Sequence, residues 1–136
     1  MSVFKFEPIY KKRIWGGQQF HALFDHGLDC NERIGESWNI VDREDEQSFF
    51  LHPNGNQQTI RSLIEGNCHE IMGPSWKKDR RFPILVKWLD CHARLSLQVH
   101  PPADIASSLN GEPKTENWYI VNCTEEAGII LGLKKG

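Results

Sequence analysis

The apolar runs in this chain are short, and nearly every one is fenced by Gly, Pro, Asn or Asp. An amphipathic helix needs an apolar stripe recurring every three to four residues over at least about ten residues, whereas a strand is satisfied by about four to eight. Runs this short suit strands, and their β-branched and aromatic side chains point the same way. The sequence therefore predicts a mostly β fold, with strands over residues 34–41, 48–51, 82–89, 95–100, 118–122 and 128–133, each bounded by turn formers. The last of these ends close to Gly136, so its ladder partner is expected to lie outside this stretch of chain.

Three segments break the pattern. Residues 18–24 read as a helix ending near Gly27, and residues 59–65 as a short helix stopped by Gly66. A third short helix is expected after Pro102, over residues 103–109. No internal repeat, low-complexity tract or Pro/Gly/Ser-rich linker divides the chain, so residues 1–136 read as one unit.

Charge narrows the function classes. With 25% charged residues and a formal net charge of -2, the chain has no basic excess with which to grip nucleic acid. Lys5, Glu7, Lys11, Lys12 and Arg13 interrupt the first fifteen residues, so no leader-like apolar segment and no membrane span is expected there. Cys30, Cys68, Cys91 and Cys123 form no Cys-x-x-Cys pair. Reduced thiols and a cytoplasmic location are the expectation.

Four places carry candidate chemistry. In Arg94-Leu95-Ser96-Leu97-Gln98-Val99-His100-Pro101-Pro102, strand alternation sets Leu95, Leu97 and Val99 on one face and Ser96, Gln98 and His100 on the other. Gln98 and His100 would then rise from one face about 7 Å apart, which lets an amide oxygen and an imidazole nitrogen converge on one ion. The other reading is a polar face meeting water. In Lys114-Thr115-Glu116, a carboxylate and an ammonium reach the same side, and Glu116 can supply an anionic ligand or stand as half of a solvated pair. Lys87 interrupts the apolar run Phe82-Pro83-Ile84-Leu85-Val86-Lys87-Trp88-Leu89. It either snorkels to the surface or serves as a cation in a cavity. Gly35-Glu36-Ser37-Trp38 is a strand-like segment with one acid, which read alone gives a surface Glu36 and a core Trp38.

Taken in order, Ile14-Trp15-Gly16-Gly17, Gly35-Glu36-Ser37-Trp38, Phe82-Pro83-Ile84-Leu85-Val86-Lys87, Leu95-Ser96-Leu97-Gln98-Val99-His100-Pro101, Lys114-Thr115-Glu116 and Gly132-Leu133-Lys134-Lys135-Gly136 resemble the type I phosphomannose isomerase family in its short bacterial form. The resemblance spans essentially the whole chain but only the N-terminal part of a family member. It implies a cupin-like jelly-roll β-barrel, incomplete in this stretch of chain, with a few short helices. It further implies isomerisation between mannose 6-phosphate and fructose 6-phosphate, with one zinc ion held by Gln98, His100, Glu116 and a later histidine. No histidine follows His100 here. Ser96, Lys87 and Lys114 match the family's substrate-binding serine and lysines, the two lysines being candidates for proton transfer as well. Pro113 and Ala103 depart from the family's usual residues beside these motifs without touching an expected ligand. The same resemblance leaves room for a metal- or sugar-phosphate-binding fragment without turnover.

Overall fold

The computed structural model describes residues 3–24, 27–77, 79–130 and 132. In chain order the elements are β1 (Ile9–Gly17), α1 (Gln19–Phe24), β2 (Ile34–Ile40), β3 (Phe49–Leu51), β4 (Gln57–Thr59), α2 (Ile60–Gly66), α3 (Cys68–Met72), β5 (Val86–Leu89) and a 3-10 turn at Ala106–Leu109. The architecture is mostly β with few helices, as expected. Contacts group the chain into two units, Met1–Ser96 and Leu97–Gly136, and among the described residues every strand lies in the first.

β1, β2 and β5 form an antiparallel sheet with β2 in the middle. The expected strand at 34–41 is β2, and the expected strand at 82–89 narrows to its last four residues. β1 went unforeseen, because consecutive cations at Lys11, Lys12 and Arg13 hide its alternation. Each finds a carboxylate: Lys11 pairs with Glu46, Lys12 with Glu32 and Arg13 with Glu36. A register shift after Lys11 marks a bulge in β1, a device that bends a strand and re-aims its side chains.

Two glycines let the sheet close up. A Cβ at Gly16 would lie 2.5 Å from the Gly35 amide nitrogen, and one at Gly35 would lie 2.6 Å from Arg13 Cβ. Only hydrogen fits at either place, which gives both Gly-containing motifs a packing reason. Beyond the bulge, Cys91 bridges to Gly16, and the His92 and Ala93 amides donate to the Trp15 carbonyl.

α1 covers one face of the sheet. Its Phe20 lies 6.2 Å from Tyr10 and its Phe24 lies 6.4 Å from Trp88, ring centre to ring centre. Tyr10, Ser37 and Trp88 are cross-strand partners, so they share that face. The buried Asp90 carboxylate accepts from the Gln19 amide at 2.8 Å and so anchors the start of α1 beside the end of β5.

The hairpin β3–β4 turns through residues 52–56, with Gly55 at φ 86, a conformation open to glycine. It delivers Thr59, whose hydroxyl accepts from the Ser62 amide at 3.1 Å and caps α2. The expected helix at 59–65 is therefore α2, with Thr59 as its cap. The principal apolar cluster sits here: Ile60, Ile64 and Cys68 are buried, and Phe6, Ile40, Ile71, Met72, Trp76 and Phe82 pack around them. Asp42 accepts from Arg61 Nε at 2.9 Å and from the Phe82 amide at 2.8 Å, which ties α2 and the approach to β5 to the end of β2.

The second unit holds the 3-10 turn, which realises the C-terminal half of the helix expected at 103–109. The strands expected at 95–100 and 118–122 are not formed, nor is the strand expected at 128–133 over its described residues, 128–130 and 132. Leu131 and Leu133 lie outside the described residues. The reason is physical: a strand exists only as a member of a ladder, and these segments find no ladder partner among the described residues. Leu97 and Val99, which alternation sets on the apolar face of a strand, accordingly stand 88% and 85% exposed.

Truncating the centre of the apolar cluster should be costly. Ile64→Ala is expected to destabilise the first unit by about 2–5 kcal/mol, read as a lower urea midpoint in far-UV circular dichroism.

Candidate active site

The face of the sheet opposite α1 carries charge. Glu36 pairs across the sheet with Lys11 on one side and Leu89 on the other, and Trp38 pairs with Lys87. Cross-strand partners and alternate residues share a face, so Lys11, Glu36, Trp38 and Lys87 all project to one side. Arg13, past the bulge, reaches over Gly35 to the same group.

Glu36 is the centre of this arrangement. The residue is 6% exposed, yet its carboxylate is fully engaged. Oε1 accepts from Lys87 Nζ at 3.0 Å, and Oε2 accepts from Arg13 at 2.7 Å and from the Trp38 indole N–H at 3.0 Å. Burial pushes the carboxyl pKa up, but the hydrogen bond and charge of Lys87, the Trp38 indole and the Arg13 charge together outweigh it, and the net shift is downward. Lys11 stands 4.7 Å from the centre of the Trp38 ring, a cation–π contact, while pairing with Glu46. Within this set of ion pairs, three cations meet two carboxylates, so Arg13 and Lys87 share the single charge of Glu36. Such a face suits an anionic ligand. At its margin, burial first, then Asp90 and Glu36, push the Cys91 thiol up against the opposing pull of Lys87. A raised thiol is a poor nucleophile.

The sequence reading had left Lys87 between a snorkelling lysine and a cation in a cavity. It is an ion-paired cation, its side chain 22% exposed and its ammonium on a buried acid. The reading of Glu36 as a surface residue is overturned, since Glu36 is buried, while Trp38, read as core, is half-buried. Sequence reasoning missed Arg13 and, although it singled out the segment of Glu36, gave that acid no partner and no role in the site. The available signal was an acid in an apolar strand context beside a strand interrupted by a lysine, since each unlike charge needs the other.

The remaining candidates lie apart from this cluster in the chain. Ser96 closes the first unit and is exposed. Gln98 and His100, in the second unit, are exposed on a segment without a ladder, so the strand geometry that would have aimed both at one ion is not formed among the described residues. Lys114 and Glu116 do reach each other, in an ion pair at 2.8 Å with side chains 29% and 39% exposed. Among the described residues no group of three or more His, Cys, Asp or Glu side chains is placed to hold a metal ion. The donor set of Gln98, His100 and Glu116 counts only two of those types, and its amide oxygen, imidazole nitrogen and carboxylate are the chemistry a borderline cation such as zinc accepts. All three are accessible, so the residues fit the ion in kind. No helix among the described residues is long and apolar enough to cross a membrane.

Because the Glu36 carboxyl sits below its ordinary value of 4.5 in the fold, its pairing stabilises the protein fully above that pH. The contribution is lost as pH falls through the lower, folded value. Urea midpoints taken from about pH 6 down to pH 3 should fall less steeply for Glu36→Gln than for the parent. At neutral pH the same variant should be about 1–3 kcal/mol less stable, since Lys87 and Arg13 lose a charged partner.

Comparison with known proteins places these features in a family. The phosphomannose isomerase type I catalytic domain matches residues 3–131. Mannose-6-phosphate isomerase ManA of Bacillus subtilis is 39% identical over 130 residues, covering 93% of this chain and 39% of that protein. Mannose-6-phosphate isomerase of Streptococcus mutans is 35% identical over 140 residues, covering 93% of this chain and 40% of its own. Among solved structures, mannose 6-phosphate isomerase from Bacillus subtilis superposes with a TM-score of 0.66 at 26% identity, over 81% of this chain and 34% of that one. A variant of phosphomannose isomerase from Salmonella typhimurium gives 0.65 at 22% identity, over 81% and 30%, and speaks to the fold alone. The chain thus spans about two-fifths of the length of these curated relatives, and it belongs to the phosphomannose isomerase type I catalytic domain family.

Proposed function

We propose that this chain is the N-terminal part of the catalytic domain of a cytoplasmic mannose-6-phosphate isomerase, acting on a small sugar phosphate and on neither nucleic acid nor membrane. The observation that carries the reading is the family match across residues 3–131, which includes every candidate site residue. The cationic face around Lys87 supports it independently of the match.

Interconverting mannose 6-phosphate and fructose 6-phosphate moves a proton between the first two sugar carbons through an enediol, and negative charge grows on the carbonyl oxygen. Fixed positive charge aimed at that oxygen lowers the barrier, and the phosphate dianion needs cations of its own. Lys87 and Lys114 supply positive charge to the substrate and are the candidates for proton transfer, and Ser96 offers a hydroxyl to the sugar phosphate. Gln98, His100 and Glu116 would hold zinc, with Glu116 exchanging Lys114 for the metal. The bound ion supplies Lewis acidity and keeps net positive charge, because two of these three ligands are neutral.

Metal binding tests the ligand set without requiring turnover. Titrating the purified chain with zinc against a chromogenic chelator, we expect Gln98→Ala, His100→Ala and Glu116→Gln each to weaken apparent affinity at least about tenfold. Unchanged affinity in all three would remove these residues from the metal site. In a coupled assay with mannose 6-phosphate and added zinc, this chain alone should turn over at least about tenfold more slowly than full-length Bacillus subtilis ManA, since no histidine follows His100 to complete the ligand set. A chimera in which residues 3–131 replace the matching part of ManA should recover turnover. An inactive but folded chimera would favour a metal- or sugar-phosphate-binding fragment.

A further inference from the structure

We propose that Glu36 is the positioning residue for Lys87: its buried carboxylate, tied on three sides, holds the Lys87 ammonium at one point on the charged face as a fixed, ion-paired cation. The inference deepens the isomerase reading and rests on it only for the identity of the anion that Lys87 would meet. The tether itself rests on the geometry of the first unit.

The two oxygens of Glu36 have different duties. Oε2 is held by Arg13 from β1 at 2.7 Å and by the indole of Trp38, two residues along the same strand, at 3.0 Å. Oε1 accepts from Lys87 of β5 at 3.0 Å. Turning the carboxylate toward any other position of Lys87 would break two charge-assisted or indole hydrogen bonds, so Lys87 follows Glu36 and not the reverse. The carboxylate belongs to the central strand and is 6% exposed, whereas the Lys87 side chain is 22% exposed. One partner is an anchor inside the protein; the other is a cation that solvent, and hence a solute, can approach.

Two nearby charged groups have partners of their own. Lys11, on β1, pairs with Glu46. The Asp90 carboxylate accepts from the Gln19 amide at the start of α1. Arg13 shares Glu36 itself, so the carboxylate carries two cations, and its single charge leaves one of them in excess. An ammonium offers three N–H donors, of which Glu36 takes one. A flexible four-carbon lysine stem would otherwise sample many positions. Tethered in this way, it presents its charge at one place, which is what stabilising a developing oxyanion or a phosphate requires.

The test is trace acetylation of the purified 136-residue chain with isotope-labelled acetic anhydride at one mildly alkaline pH, with the rate at each lysine read by peptide mass spectrometry. Glu36→Gln should raise the acetylation rate of Lys87 several-fold, because the ammonium loses the carboxylate that holds it, and leave that of Lys114 unchanged. Glu36→Asp, which keeps the charge on a shorter stem, should return the rate most of the way to the parent value, an outcome that loss of packing alone would not produce. Trp38→Phe, which frees one side of the carboxylate, should give an intermediate rate and guards against a Glu36→Gln chain that fails to fold. An unchanged Lys87 rate in folded Glu36→Gln overturns the tether. In the chimera of residues 3–131 with the remainder of Bacillus subtilis ManA, adding zinc and mannose 6-phosphate should slow Lys87 acetylation further. If Lys87 responds to Glu36→Gln but not to the sugar phosphate, the tether stands and the isomerase reading fails.

Discussion

A carboxylate taken out of water has to be met by donors, or it costs several kcal/mol. In this protein that constraint falls on Glu36, in the middle strand of the three-stranded sheet, and the way it is met organises the charged face. Arg13 comes from one neighbouring strand, Lys87 from the other, and the Trp38 indole from the same strand. The three strands are thus joined by side chains as well as by their ladders. Without Glu36, the cations at Arg13 and Lys87 would lose the carboxylate that they share.

The opposite face explains why the sheet can tolerate such a load. Phe20 and Phe24 of α1 stack on each other at 5.7 Å and pack over Tyr10 and Trp88. One face is therefore greasy and covered, the other polar and available, the division expected of an antiparallel sheet. Close backbone approach at Gly16 and Gly35 is what lets Arg13 cross to Glu36, because any side chain at Gly35 would collide with the arginine stem. Asp42 plays a comparable anchoring part at the other end of β2, joining α2 to the chain leading into β5. Two buried acids, Glu36 within β2 and Asp42 just past its end, thus tie neighbouring elements of the first unit to that strand.

How much of this was legible depended on the range of the interaction. α1, α2 and β2 are written in local pattern: an apolar stripe, a Thr59 cap, an alternating run between turn formers. β1 was hidden because its three consecutive cations carry no alternation, and its partners Glu46, Glu32 and Glu36 are tens of residues away. Lys87 was legible as an anomaly, a charge inside an apolar run. Its explanation was not, since Glu36 is 51 residues earlier in the chain. The segments at 95–100 and 118–122 show the converse case, strand-like in composition and without a ladder among the described residues.

What the amino-acid sequence determined by itself is the family, the mostly β class and the set of side chains capable of the chemistry, because motif order, short apolar runs and residue type are all properties of a line. What only the tertiary structure decided is which of those side chains meet. Pairing Glu36 with Arg13 and Lys87, and burying Glu36 against expectation, required two strand registers to be fixed at once. Register is set by long-range packing and by a bulge at Lys11 that no local pattern encodes. A lysine in a strand is only a charge in search of a partner until a sheet brings the acid across to it.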